Sequence, residues 1–132
     1  MKKSMVFKVI LIVLALTLVV FGGWRLVDPV GFLTFNGLEL SYDAGLLSEV
    51  RGAGGIIMVS GLVVGLGAFL QAWSRISVLL AAMVFLPLGL GRLVGLALDG
   101  SPGAGVIQGM AIELVFGVLA LYTFFKYRNE DT

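Results

Sequence analysis

The sequence contains no cysteine and no histidine among its 132 residues. The lack of cysteine excludes disulfides, thiolate nucleophiles and iron–sulfur clusters. The lack of histidine removes the usual ligand of zinc and haem iron and the commonest general base. The chain also has no P-loop and no pair of membrane carboxylates that could hold a catalytic metal. We therefore predict no metal site, no catalytic residue and no resident cofactor, and an enzymatic function is not favoured.

Charged residues are also scarce, at 13% of the chain, whereas hydrophobic residues make up 59% and the mean hydropathy is +1.08. A soluble domain of this length cannot bury so much apolar surface. The net charge of +1 does not supply the basic field that nucleic-acid binding requires. The composition therefore indicates an integral membrane protein whose first partner is the lipid bilayer, and it argues against a nucleic-acid partner.

Four apolar runs are long enough to cross a hydrocarbon core of about 30 Å. They cover about 9–24, 52–70, 76–98 and 106–125. The first run follows Lys2, Lys3 and Lys8 and has the outline of a signal peptide, but no small-x-small cleavage site follows it, so we favour a retained helix. The sequence thus predicts an all-α fold, with 1–132 forming one four-transmembrane-helix bundle.

Basic residues concentrate on one side of this predicted bundle. They lie at the amino end, at Arg75 in the turn between the second and third runs, and at Lys126 and Arg128. Because lysine and arginine are enriched in cytoplasmic loops, both termini are predicted to face the cytoplasm. The segment 25–51 and the turn around Asp99 are then extracytoplasmic.

The extracytoplasmic segment 25–51 has the pattern of two helix starts. Asp28 followed by Pro29 is typical of an N-cap and first helical residue, and the apolar stretch "VGFLTF" then predicts a short interfacial helix. Ser41 and Asp43 offer a second cap, after which a helix could continue into the second span. A solvated loop that happens to be apolar is the alternative.

Glycine occurs 19 times, and several copies recur at spacings of four within the predicted spans. Such small residues allow helix backbones to approach closely in lipid. We predict helix packing within the bundle at these positions, with a glycine-mediated homodimer as an alternative that does not exclude it. The candidate packing residues are Gly54, Gly61, Gly65, Gly91, Gly95, Gly109 and Gly117.

Two opposite charges lie inside the predicted third and fourth spans. Arg92 is six residues before Leu98, about 9 Å from the outer boundary, and Glu113 is seven residues after Val106, about 10 Å from it. An isolated charge near the bilayer centre costs about 2.5–3.5 kcal/mol on insertion scales. We therefore predict that Arg92 and Glu113 bind each other on neighbouring antiparallel helices.

Further charged residues are candidates for the same polar centre. Asp99 lies seven residues beyond Arg92 and so shares its helix face, while Glu49 and Arg51 precede the second span. We expect Arg51, Arg92, Asp99 and Glu113 to converge in the outer half of the bundle. Pro87 precedes Arg92 by five residues and predicts a kink that could open a cavity below the charged layer.

Several of these stretches carry a family resemblance. "DPVGFLTFNGLEL", "SEVRGAGGIIMVSGL", "GRLVGLALDG" and the glutamate of "IELVFGVLALY" resemble the bacterial family catalogued as domain of unknown function 4345. Its members are small four-helix membrane proteins similar to the wider DoxX-like group. The resemblance implies the same fold and a place in the bacterial inner membrane, and it implies no activity. Where many members would have an aromatic residue after Ala53, this chain has Gly54.

Three functional hypotheses follow from these residues. The first is a non-catalytic accessory or assembly subunit that binds a membrane protein partner or forms a homo-oligomer. The second is a lipid- or quinone-binding protein whose pocket is lined by Arg51 and Arg92. The third is an enzyme or a proton-coupled transporter that uses Glu113, which is disfavoured because an adjacent guanidinium would favour the ionised carboxylate. A purely structural role for the ion pair is the alternative to all chemical roles.

Overall fold

The computed structural model describes residues 5–38 and 43–127. These residues form five α-helices and no strand, with one 3-10 turn at Gln71–Trp73. The helices are α1 (Met5–Val27), α2 (Pro29–Phe35), α3 (Ala44–Phe69), α4 (Ser74–Asp99) and α5 (Ala104–Tyr127). All except α2 are long and apolar enough to cross a membrane. The predicted fold class, an all-α protein with four such helices, is confirmed.

Aspartate side chains cap the two helices of the segment between the first and second spans. Asp28 accepts a hydrogen bond from the backbone N–H of Gly31, with Pro29 at the first position of α2. Asp43 accepts one from Leu46, and α3 then continues without a break into the apolar run. The side chain of Ser41, proposed as part of this cap, lies outside the described residues, as do Lys2, Lys3 and Arg128 of the charge argument.

Helices α1 and α3 pack most closely, and glycines make this approach feasible. A Cβ placed on Gly54 would lie 2.6 Å from the carbonyl oxygen of Gly22, and one on Gly61 would lie 2.8 Å from the side chains of Leu18 and Val19. At such positions any side chain would force the two helices apart. Gly22, which the spacing argument did not select, lies against the backbone of α3.

The prediction for the remaining glycines is correct in part. Gly117 packs against Leu86 across α4 and α5, and Gly65 is in ordinary contact with Ala15. Gly91 and Gly109 meet no atom within 4 Å where a Cβ would lie, and Gly95 reaches only a side chain of its own helix. The prediction that Gly91, Gly95 and Gly109 pack against another helix is therefore wrong. Residue spacing shows which glycines share a helix face, but it does not show whether another helix lies against that face.

Helices α1 and α5 face each other without extended packing. They meet at one end of the bundle, where the Phe7 and Tyr127 rings are 5.2 Å apart. At the other end, a Cβ on Gly105 would lie 2.9 Å from Asn36, which follows α2. We call this second end, which carries α2 and the turn 100–103, the α2 end. Between the two contacts, a cavity lies between 17–25 of α1 and 105–113 of α5, and we call this stretch the open seam.

Candidate functional site

Arg92 and Glu113 form an ion pair across α4 and α5. The Nε atom of Arg92 donates a hydrogen bond to Oε1 of Glu113 over 2.7 Å. The Glu113 side chain is 10% exposed and the Arg92 side chain 27% exposed, so the carboxylate is the more deeply buried partner. Each ion compensates the charge of the other in a region where an isolated charge would be costly.

A second arginine, Arg25 of α1, lies close to this pair. Its positive charge is repelled by Arg92 and attracted by Glu113. Although Arg25 is only two residues from the end of α1, where a long side chain could extend to water, it is 8% exposed. It lies instead beneath α2, with its guanidinium carbon 4.6 Å from the centre of the Phe32 ring.

The hydrogen-bonding capacity of Arg25 is incompletely used. Its Nε atom is buried and has no hydrogen-bond partner among the described residues. The Phe32 ring stabilises the face of the guanidinium through a cation–π contact, but a ring face cannot accept the in-plane Nε–H. An unpartnered buried donor is unfavourable, and a buried cation more so. Arg25 therefore presents an unused positive donor to the interior.

A cavity of about 140 Å³ lies at the open seam between α1 and α5, beside these three charges. Apolar side chains from all five helices form most of its wall, and Phe21 and Ile112 on the two sides of the seam are both partly exposed. Its polar lining consists of Thr17, Arg25, Asn36, Arg92, Gln108 and Glu113. Because the ionisable residues are two arginines and one glutamate, the lining carries one excess positive charge.

The charged site residues predicted from the sequence lie at different cavities, and only some of them meet. Arg92 and Glu113 lie together at the cavity between α1 and α5, and Gly109, expected to pack on a helix, forms part of its wall instead. Asp99 is exposed and shares a separate surface cavity with Arg92 at the turn 100–103. Glu49 is exposed and lines a further cavity that Arg25 and Arg92 also line.

The expectation that Arg51 joins the charged centre is wrong. Its Nη1 atom donates to the carbonyl oxygens of Leu26 at 2.6 Å and Val27 at 3.4 Å. Arg51 thus satisfies the unpaired carbonyls at the carboxyl end of α1, which attract a cation. The helix-face argument placed Arg51 on the side of α3 that points to Arg92, but the side chain binds the end of α1.

The sequence prediction did not include Arg25 because the predicted first span stops at residue 24, whereas α1 continues to Val27. The signal was present: Arg25 follows Leu18 by seven residues and Phe21 by four, so it continues the face of α1 that they share. All three side chains line the cavity. Pro87 lies inside α4 as expected, and its neighbours Phe85 and Leu88 line the cavity, while the predicted kink stays a prediction.

The comparison with known protein families matches residues 6–124 to the family described as "Domain of unknown function (DUF4345)". The chain belongs to this family. The match covers all four long helices almost completely, so the DUF4345 region includes Arg25, Arg92 and Glu113. No curated protein and no solved structure matches the chain. For this DUF4345 protein, the site itself must therefore carry the functional argument.

Proposed function

We propose that this membrane protein binds a lipid by its anionic head group in the cavity between α1 and α5. The observation that carries the proposal is Arg25, whose buried Nε–H has no protein acceptor among the described residues and whose side chain lines a cavity with a positive lining. A phosphate oxygen would accept this hydrogen bond and neutralise the excess charge.

The position of the cavity suits an amphiphile better than a soluble anion. The seam between α1 and α5 lacks helix packing, and Phe21 and Ile112 beside it are exposed on a chain whose long helices suit a membrane. Acyl chains could lie along this apolar seam while the head group reaches Arg25. An uncharged quinone would leave the excess positive charge uncompensated, so the charge favours the anionic lipid.

The proposal is tested by measuring how brominated lipids quench the fluorescence of Trp24 in nanodiscs. Trp24 packs against Phe32 and Phe35, which both line the cavity, and Trp73→Phe removes the other of the two tryptophans. Brominated phosphatidylglycerol should quench more strongly than diacylglycerol with the same chains. Arg25→Met should abolish this difference, because the phosphate loses its donor.

Arg51→Met is the matched control. It removes the same charge at the same end of the bundle, but Arg51 contacts α1 carbonyls and does not line the cavity. The phosphate-dependent quenching should persist in this variant. Equal quenching by the two lipids in the parent protein, or equal loss in both arginine variants, would refute the proposal.

The accessory-subunit hypothesis stays a prediction. An exposed apolar surface is expected of any helix that faces lipid, so it does not by itself indicate a protein partner. The ion pair serves either hypothesis by fixing α4 against α5. Retention of the parent quenching by Arg25→Met would favour this structural interpretation over lipid binding.

A further inference from the structure

A second cavity, of about 250 Å³, lies at the α2 end and adjoins the cavity between α1 and α5. Residues from α1, α2, α4 and α5 belong to both cavities, namely Arg25, Phe32, Asn36, Arg92 and Val106. The two arginines therefore lie on the boundary between the cavities. A group bound to Arg25 from one side could extend a short polar part into the other.

The second cavity is also lined by a residue of opposite charge. Glu49, in the second turn of α3, lines this cavity and does not line the first. Its side chain is exposed and has no hydrogen-bond or ion-pair partner among the described residues. A carboxylate accepts hydrogen bonds and donates none when ionised. The lining of the second cavity thus contains an acceptor as well as the two arginine donors.

The second cavity is lined by two arginines and one glutamate, so an anion is favoured beside the arginines and a hydrogen-bond donor beside Glu49. A phosphodiester would stay at the arginines, where the positive charge is, because Glu49 repels it. An ammonium or hydroxyl group at the far end of the same head group would instead be attracted to Glu49. The two cavities together therefore complement a lipid head group that has a negative phosphate near the glycerol and a hydrogen-bond donor at its far end.

We propose that Glu49 makes the site selective for phospholipids whose head group ends in a hydrogen-bond donor, such as phosphatidylethanolamine. This inference rests on the proposed lipid-binding function and specifies its ligand. Phosphatidylcholine has the same phosphodiester but ends in a trimethylammonium group without an N–H. It is therefore the matched ligand that the site should bind more weakly.

The test compares brominated phosphatidylethanolamine with brominated phosphatidylcholine in the Trp24 quenching assay. The parent protein should prefer the ethanolamine lipid about tenfold, as expected for one charge-assisted hydrogen bond. Glu49→Gln should reduce this preference to about twofold or less, because the neutral amide keeps an acceptor but loses the charge that strengthens the hydrogen bond from the ethanolamine ammonium. Arg25→Met should instead weaken binding of both lipids.

Two control pairs separate selectivity from disturbance of the fold. Asp43→Asn removes one negative charge from the same end of α3 but keeps a good N-cap, so the preference should persist. Ala53→Phe fills the second cavity from an exposed helix position and should remove the preference, whereas Ala97→Phe, exposed on α4 and away from both cavities, should not.

The outcomes distinguish this inference from the proposed function. Equal binding of the two lipids by the parent protein would overturn the selectivity, and so would an unchanged preference in both Glu49→Gln and Ala53→Phe. Either result leaves lipid binding intact if phosphatidylglycerol still quenches more than diacylglycerol. Loss of that difference in the parent protein overturns both.

Discussion

At the scale of single residues, four charged side chains have different energetic roles. Arg92 and Glu113 neutralise each other over 2.7 Å, whereas Arg25 is as buried as Glu113 but keeps an unused donor. Arg51 satisfies helix-end carbonyls. Among the residues that the structure describes, only Arg25 combines burial with an unsatisfied polar side-chain atom, and we therefore propose that it binds the ligand.

The ion pair gives a residue-scale prediction about stability. Arg92→Ala should lower the free energy of unfolding by about 3–5 kcal/mol, because it leaves the Glu113 carboxylate buried without its partner. The double variant Arg92→Met with Glu113→Leu should recover most of that loss, since apolar pairs often replace buried ion pairs without cost. Reversible unfolding in mixed detergent measures both variants.

The comparison of single and double variants decides whether the pair acts as a unit. If the double variant loses as much stability as the single variants Arg92→Met and Glu113→Leu combined, the side chains act independently and mutual neutralisation is contradicted. If Arg92→Ala has no effect, the carboxylate has a different partner.

At the scale of helices, glycine positions control how close α1 and α3 can lie. A Cβ on Gly22 would meet the α3 backbone, including the carbonyl oxygen of Gly54 at 2.9 Å, and a backbone cannot move aside as the end of a side chain can. On its opposite side, α1 packs only sparsely against α5, where the open seam lies. Because α1 is held against α3, it leaves room for the cavity on its other side.

Two alanine substitutions test this interpretation of the helix contact. Gly22→Ala should destabilise the protein by about 1–3 kcal/mol, because the added methyl group overpacks the interface. Gly91→Ala places the same methyl group in open space and should stabilise α4 by about 0.5–1 kcal/mol through the lower flexibility of alanine. Thermal unfolding in one detergent compares them; a stabilised Gly22→Ala protein would be inconsistent with the described packing.

At the scale of the whole molecule, the sequence predicts the fold better than the site. Apolar runs show directly that four helices are long enough to cross a bilayer, and depth along antiparallel helices correctly suggested which charges meet. The position of Arg51 was not predictable because it depends on the rotation of α3 about its axis. The role of Arg25 was obscured because α2 folds back and encloses a residue that looked like part of a loop.

The cavity is a property of the assembled bundle, and no single segment of sequence encodes it. Its lining comes from all five helices, including the short α2, and its charge is the sum of contributions from three of them. A local pattern can identify each arginine, but only the packing order of the helices shows which charge is left without a partner.

Native mass spectrometry of the gently extracted protein tests the central claim most directly. The account predicts a stoichiometric phospholipid on the parent protein and on Arg51→Met, and its loss from Arg25→Met with the protein still folded. A parent protein without lipid, a bound quinone in place of phospholipid, or a lipid equally retained by Arg25→Met would contradict the claim that Arg25 holds an anionic head group.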